Sequence, residues 1–140
     1  MTAPRPRILV AEDHPEVARG LLELLEADFE IAGHVESGLD VVAAVARTSP
    51  DLLLLDLWLP GRNGLDMVPE LREAHPAMRI LILTGHTDVV VAVQAMNQGA
   101  DGFIGKNSGY AELKSAIAEV LAGRGYLSPK LMVSPPTPHR

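Results

Sequence analysis

Glu12 and Asp13 are adjacent carboxylates that follow the short apolar run Ile8-Leu-Val-Ala11. A third carboxylate, Asp56, is the one charge between Leu52 and Leu59. Thr84 closes the run Ile80-Leu-Ile-Leu83, and Lys106 closes Gly102-Phe-Ile-Gly105. Glu12, Asp13, Thr84 and Lys106 stand where apolar runs stop, and Asp56 interrupts one. Carboxylates brought side by side cannot all stay charged without a cation, because like charges raise one another's pKa. Hard oxygen ligands in a chain without cysteine suit Mg²⁺, or Mn²⁺, rather than zinc. An ion held by Asp13 and Asp56 keeps positions open for phosphate oxygens. Thr84 can donate a hydrogen bond to such an oxygen, and Lys106 supplies a point charge. Asp56 is then placed to attack phosphorus as a carboxylate nucleophile. Phosphoryl transfer needs mainly positioning and charge neutralisation, which this set provides.

The elements that position these groups alternate along the chain. Arg7–Ala11 reads as a strand, followed by a helix with Pro15 in its first turn and Val17, Leu21, Leu24 and Leu25 at helical spacing. Glu30–Val35 is a weaker strand, and Ser37 a plausible N-cap for a helix that ends before Pro50. Leu52–Leu57 is a buried strand closed by Pro60-Gly61, and a helix follows through Leu65, Val68 and Leu71. Arg79–Thr84 is a strand, Asp88–Gln98 a helix stopped by Gly99, Gly102–Gly105 a fifth strand and Ser108–Ala122 the last helix. In the fourth helix, Val89, Ala92, Val93 and Met96 read as the core face. Val90 and Val91 are then surplus, and beside Phe103 and Tyr110 they suggest a partner or dimer face. This rhythm predicts an α/β fold, a (βα)5 doubly wound parallel sheet with helices on both faces. Such sheets bind ligands beyond the carboxyl ends of their strands, where the polar residues fall.

Composition narrows the functions. Twelve Lys plus Arg against 18 Asp plus Glu give a net charge of −6. That balance argues against binding of nucleic acid by this segment itself, which needs a basic face. No apolar run is long enough for a membrane span, and the N-terminus lacks the apolar stretch of a signal peptide, so a cytoplasmic protein is expected. There is no Gly-x-Gly-x-x-Gly loop or Walker A motif to hold a nucleotide. A phosphohydrolase with an aspartyl nucleophile of the haloacid-dehalogenase type would need a second aspartate where Trp58 stands. Taken alone, Asp56 reads equally as a capping carboxylate at a strand end; its register with Asp13 and Lys106 decides for chemistry. His14 and His86 read as exposed rim histidines, and His34, His75 and His139 carry no signal.

Four motifs now stand in order at strand ends: Glu12-Asp13-His14-Pro15, Asp56-Leu-Trp-Leu-Pro60-Gly-Arg-Asn-Gly64, Thr84-Gly85 and Gly99-Ala-Asp-Gly-Phe103-Ile-Gly-Lys106. With them the chain resembles a response-regulator receiver domain, the phospho-acceptor of two-component signalling, over about residues 7–122. Asp-His-Pro after the first strand and Gly123-Arg-Gly-Tyr-Leu-Ser128 after the last helix are similar to the NarL/FixJ subfamily. The resemblance implies a CheY-like, flavodoxin-like strand order 2-1-3-4-5. It implies Asp56 as the phosphorylation site and Asp13, Asp56 and the Trp58 main-chain carbonyl as metal ligands, with Glu12 acting through water. Thr84 and Lys106 would contact the phosphoryl group, and Thr84 and Phe103 would form the switch. Trp58 and His86 would tune dephosphorylation from the rim.

The partners implied are a sensor histidine kinase and, after phosphorylation, a second copy of the chain. The protein would catalyse its own phosphorylation without being a turnover enzyme. DNA would be reached only through a C-terminal helix-turn-helix that this chain does not contain, as the regulatory half of a transcription regulator. The alternative is a stand-alone receiver acting by protein contacts or as a phosphorelay intermediate. The expected organisation is a disordered N-terminus over 1–6, the receiver over 7–122 and a linker with a Pro-rich tail over 123–140. Two departures from the family pattern are visible. Asn107 follows Lys106 where many receivers have proline, which argues against a cis bond there. Gly85 replaces the alanine common after the switch threonine.

Overall fold

The computed structural model describes residues 5–85 and 89–128. Its order is β1 (Arg7–Ala11), α1 (Pro15–Leu25), β2 (Glu30–Val35), α2 (Val41–Thr48), β3 (Leu52–Leu55), α3 (Gly64–Ala74), β4 (Arg79–Thr84), α4 (Val89–Gln98), β5 (Gly102–Gly105), α5 (Tyr110–Leu121) and β6 (Tyr126–Leu127). The strands form one parallel sheet in the order β2-β1-β3-β4-β5-β6. The expected order 2-1-3-4-5 is therefore present, extended at one edge by a sixth strand from the segment expected to be linker.

Alternation along the strands builds two cores. Leu9, Leu53, Leu55, Ile80, Ile82 and Phe103 face α2, α3 and α4, where Val45, Met67, Leu71 and Ala95 meet them. Ile8, Val10, Leu52, Leu54, Leu81 and Ile104 face α1 and α5, against Leu25, Leu113, Ile117 and Val120. β3, buried on both sides, is leucine throughout, as a central parallel strand requires.

Several boundaries differ from the expectation for local reasons. β3 ends at Leu55, two residues early, because the chain turns at Asp56 toward the Pro60–Gly64 loop. Ser37 caps a 3₁₀ turn over Gly38–Asp40, accepting from the Leu39 N–H at 3.1 Å, and α2 begins only at Val41. α5 begins at Tyr110 because Lys106–Ser108 first form a 3₁₀ turn and Gly109 follows with φ +92°. No cis peptide occurs among the described residues, so Lys106–Asn107 is trans. In α4, Ala92 and Ala95 are buried and Val91 and Met96 lean on the core, whereas Val89, Val90 and Val93 are exposed. The expected face is thus turned: Val93 points out and Val91 in. At the N-terminus, the Pro6 carbonyl, within the segment expected to be disordered, accepts from Glu30 N–H at 2.9 Å.

Candidate functional site

Strand register places the site. Ala11 lies opposite Leu55, Leu55 opposite Ile82, and Thr84 opposite Gly105. The residues just beyond, Glu12, Asp13, Asp56 and Lys106, therefore leave the sheet along one edge with Thr84 among them. The loop after Asp56 is held tightly. Asn63 caps α3, its side chain accepting from Leu65 N–H at 2.8 Å, and Gly64 N–H donates to Leu57 O at 2.8 Å. A side chain at Gly64 would bring its Cβ within 2.8 Å of the Asp56 carbonyl oxygen, so glycine there lets α3 start directly behind Asp56.

Asp56 is only 3% exposed and Glu12 only 1%. Buried carboxylates need donors or cations. Lys106 supplies both: its Nζ donates to Asp56 Oδ2 at 2.9 Å and stands 2.7 Å from Glu12 Oε1 and 3.0 Å from Oε2. The Trp58 main-chain N–H donates to the other Asp56 oxygen, Oδ1, at 3.1 Å. On Glu12, burial raises the pKa, but the Lys106 ammonium and the hydrogen bonds from the His14 backbone and ring outweigh it, and the carboxyl lies below its usual value. On Lys106, burial works downward, yet hydrogen bonds to Glu12 and Asp56 and their charges leave the ammonium above its usual value. Thr84 is fully buried at the end of β4. Phe103 is also fully buried, paired with Ile82 and Leu127 and packed in the α2–α3–α4 core. The Trp58 side chain is 46% exposed, outside the core. His86, the other rim residue, lies outside the described residues.

The fit to a divalent cation can be judged from the donors. Ligand atoms of Glu12, Asp13, His14 and Asp56 all lie within 4.8 Å of one another. Asp13 Oδ1 is shielded from solvent and accepts no hydrogen bond. A buried carboxylate oxygen without a donor, beside a second carboxylate, is what an oxygen-seeking ion would satisfy. Carboxylate oxygens that suit such an ion thus lie together at Glu12, Asp13 and Asp56, and the Asp13 Oδ1 is one that lacks a donor.

Two contacts were not anticipated. His14 is exposed as expected, but its ring Nδ1 reaches Glu12 Oε2 at 2.9 Å. His34, which carried no signal, places Nε2 2.9 Å from the Glu12 carbonyl oxygen. Only the adjacency of His14 to the acid pair could have suggested the first; nothing local announces the second.

Known proteins agree with this geometry. The response regulator receiver domain family model matches residues 8–118. The chain is 35% identical over 123 residues to the DNA-binding transcriptional activator DevR/DosR of Mycobacterium tuberculosis, covering 86% of this chain and 57% of that protein. It is 31% identical over 121 residues to the putative positive transcription regulator of virulence factors BvgA of Bordetella pertussis, covering 86% of this chain and 58% of that one. It thus spans less than two thirds of the length of these relatives. A two-component response regulator of the LuxR family from an Aurantimonas species superposes with a TM-score of 0.86 at 34% identity, over 91% of this chain and 93% of that one. The chain belongs to the response-regulator receiver domain family. Within it, the relatives make it a receiver of the NarL/FixJ type, the type carried by transcriptional response regulators. No described helix is long and apolar enough to cross a membrane.

Proposed function

We propose that this receiver accepts a phosphoryl group on Asp56 from the phosphohistidine of a sensor histidine kinase, with Mg²⁺, or Mn²⁺, bound beside it. The observation that carries this reading is Lys106 Nζ at 2.9 Å from Asp56, next to the donor-less Asp13 oxygen. Asp13, Asp56 and the Trp58 carbonyl would hold the ion, with Glu12 contributing through water. When bound, it neutralises the carboxylates and the incoming phosphoryl oxygens. Trp58 N–H and Lys106 fix the Asp56 carboxylate so that one oxygen faces phosphorus. That oxygen bonds to phosphorus as the P–N bond breaks, and the leaving imidazole nitrogen keeps the electron pair and gains a proton. Lys106 and the Thr84 hydroxyl receive the phosphoryl oxygens. The protein acts on itself and turns over no separate substrate.

Closure of Thr84 on the phosphoryl group with Phe103 packed inward shifts a two-state equilibrium, changing the α4–β5–α5 surface and favouring association with a second copy. The names of the relatives support transcription control as the output, exerted through a DNA-binding segment other than this acidic domain. Phosphodonor labelling with Mg²⁺ tests the central step: wild type incorporates labelled phosphate as an acyl phosphate, and Asp56→Asn incorporates none. Equal labelling of the two would overturn it.

A further inference from the structure

We infer that His34 is a positioning residue for the acid pair, acting through the main chain of Glu12. This rests on the reading of the site given above and extends it to a residue outside the family's motifs. β2 ends beside β1 with Val10 opposite His34 and Ala11 opposite Val35. One step further on, β2 grips residue 12 on both sides of its backbone. The Val35 carbonyl accepts the Glu12 N–H at 3.0 Å, and the His34 ring meets the Glu12 carbonyl oxygen at 2.9 Å. A carbonyl only accepts, so His34 Nε2 carries the proton of this bond.

The bonded carbonyl belongs to the peptide that joins Glu12 to Asp13, and its plane sets the direction in which both side chains leave. Glu12 has other restraints: Lys106 holds its carboxylate, and the His14 N–H donates to it at 3.0 Å. Asp13 has few. Its Oδ1 is shielded from solvent and takes no hydrogen bond, and the His14 ring stands beside it with Nδ1 at 3.5 Å. The orientation of Asp13 toward Asp56 therefore depends on the peptide before it, and the side chain that fixes this peptide is His34. Without the ring, that peptide is free to tilt, and Asp13 loses the preorganisation that lets it meet a cation together with Asp56.

The test is Mg²⁺ binding read by the fluorescence of Trp58, the single tryptophan of the chain, whose N–H already contacts Asp56. His34→Ala is compared with His34→Gln, which keeps a side-chain N–H donor, and urea midpoints are measured without Mg²⁺. His34→Ala is expected to bind Mg²⁺ about fivefold more weakly, the size of one hydrogen bond's net worth. His34→Gln is expected to stay within about twofold of wild type, with the urea midpoints of both variants showing that they are folded under the conditions of the titration. Undiminished Mg²⁺ affinity in His34→Ala would overturn the inference. So would equal losses of Mg²⁺ affinity in both variants. If wild type itself binds no Mg²⁺, the reading of the site fails first and this inference falls with it; if wild type binds and the variants match it, this inference alone fails.

Discussion

Lys106 holds two carboxylates that are almost wholly buried, so its contribution can be read from stability as well as chemistry. Glu12 titrates below its ordinary 4.5, so its share of the pairing is present above pH 4.5 and is lost as pH falls through the lowered value. Lys106 titrates above its ordinary 10.5, so its share is present below pH 10.5 and is lost as pH rises past the raised value. Lys106→Met, which leaves both acids without their cation, is expected to cost about 1–3 kcal/mol at neutral pH. Urea denaturation followed from pH 7 down to about pH 3 should show wild type losing stability faster than the variant. The reason is that Glu12 without its ammonium gains, rather than loses, from protonation. Parallel acid limbs would show that Lys106 does not govern Glu12. Asp13, Asp56, Thr84 and Lys106 were legible in the sequence because each is a polar residue at the end of an apolar run or, for Asp56, interrupting one, and parallel-sheet topology brings strand ends together. The pairing of Glu12 with Lys106 spans 94 positions, and that of His34 with the Glu12 carbonyl depends on how β2 lies against β1. Such contacts leave no mark on local composition.

At the scale of elements, β6 shows where pattern reading stops. Two residues are too few for alternation to register, and Gly123-Arg-Gly125 reads as the end of structure. Yet Tyr126 pairs with Gly102, Leu127 with Phe103, and the Ser128 N–H donates to the Phe103 carbonyl at 3.1 Å. Glu112 of α5 fastens the strand, accepting from Tyr126 Oη at 2.6 Å and Ser128 Oγ at 3.0 Å. The α4 face was misread for a different reason. Val89 to Val93 is apolar at all five positions, so periodicity cannot say which valine turns inward; packing beside the buried Ala92 and Ala95 does. The β6 clasp has a pH signature. Burial, then the hydrogen bond to Glu112 and its charge, push the Tyr126 phenol from 10.0 up to about 12. Because this pKa is raised by folding, the stabilisation is complete below pH 10 and disappears as pH passes through about 12. Urea midpoints of wild type and Tyr126→Phe, compared across that interval, should show the smaller decline in the variant. Tyr110, Lys106 and Lys114, whose pKa values are also raised, are present in both proteins, so the difference isolates Tyr126. Identical declines would mean that the phenol is not held by Glu112.

For the molecule as a whole, one sheet separates two cores, and the acid site sits where both converge on the end of β3. Leu53 and Leu55 belong to the core under α2, α3 and α4; Leu52 and Leu54 belong to the core under α1 and α5. Asp56 follows directly, so its place is fixed by packing on both faces. Lys106 then ties Asp56 to Glu12 across the sheet edge, joining β5, β3 and β1. This arrangement predicts a single cooperative unit in spite of the two cores, since neither layer of helices can leave without exposing a shared strand. Leu53→Ala and Leu54→Ala remove similar buried volume from opposite faces, and each is expected to cost about 2–5 kcal/mol. In both variants, circular dichroism and Trp58 fluorescence should report one coincident unfolding transition. The two probes decide the matter because helix content samples both layers, whereas Trp58 samples only the site. If Leu54→Ala lost helix signal before the Trp58 environment changed, the α1–α5 layer would be unfolding on its own. The Asp56 carboxylate would then be held by the α2–α3–α4 core and the Pro60–Gly64 loop alone, and positioning from both faces would be wrong.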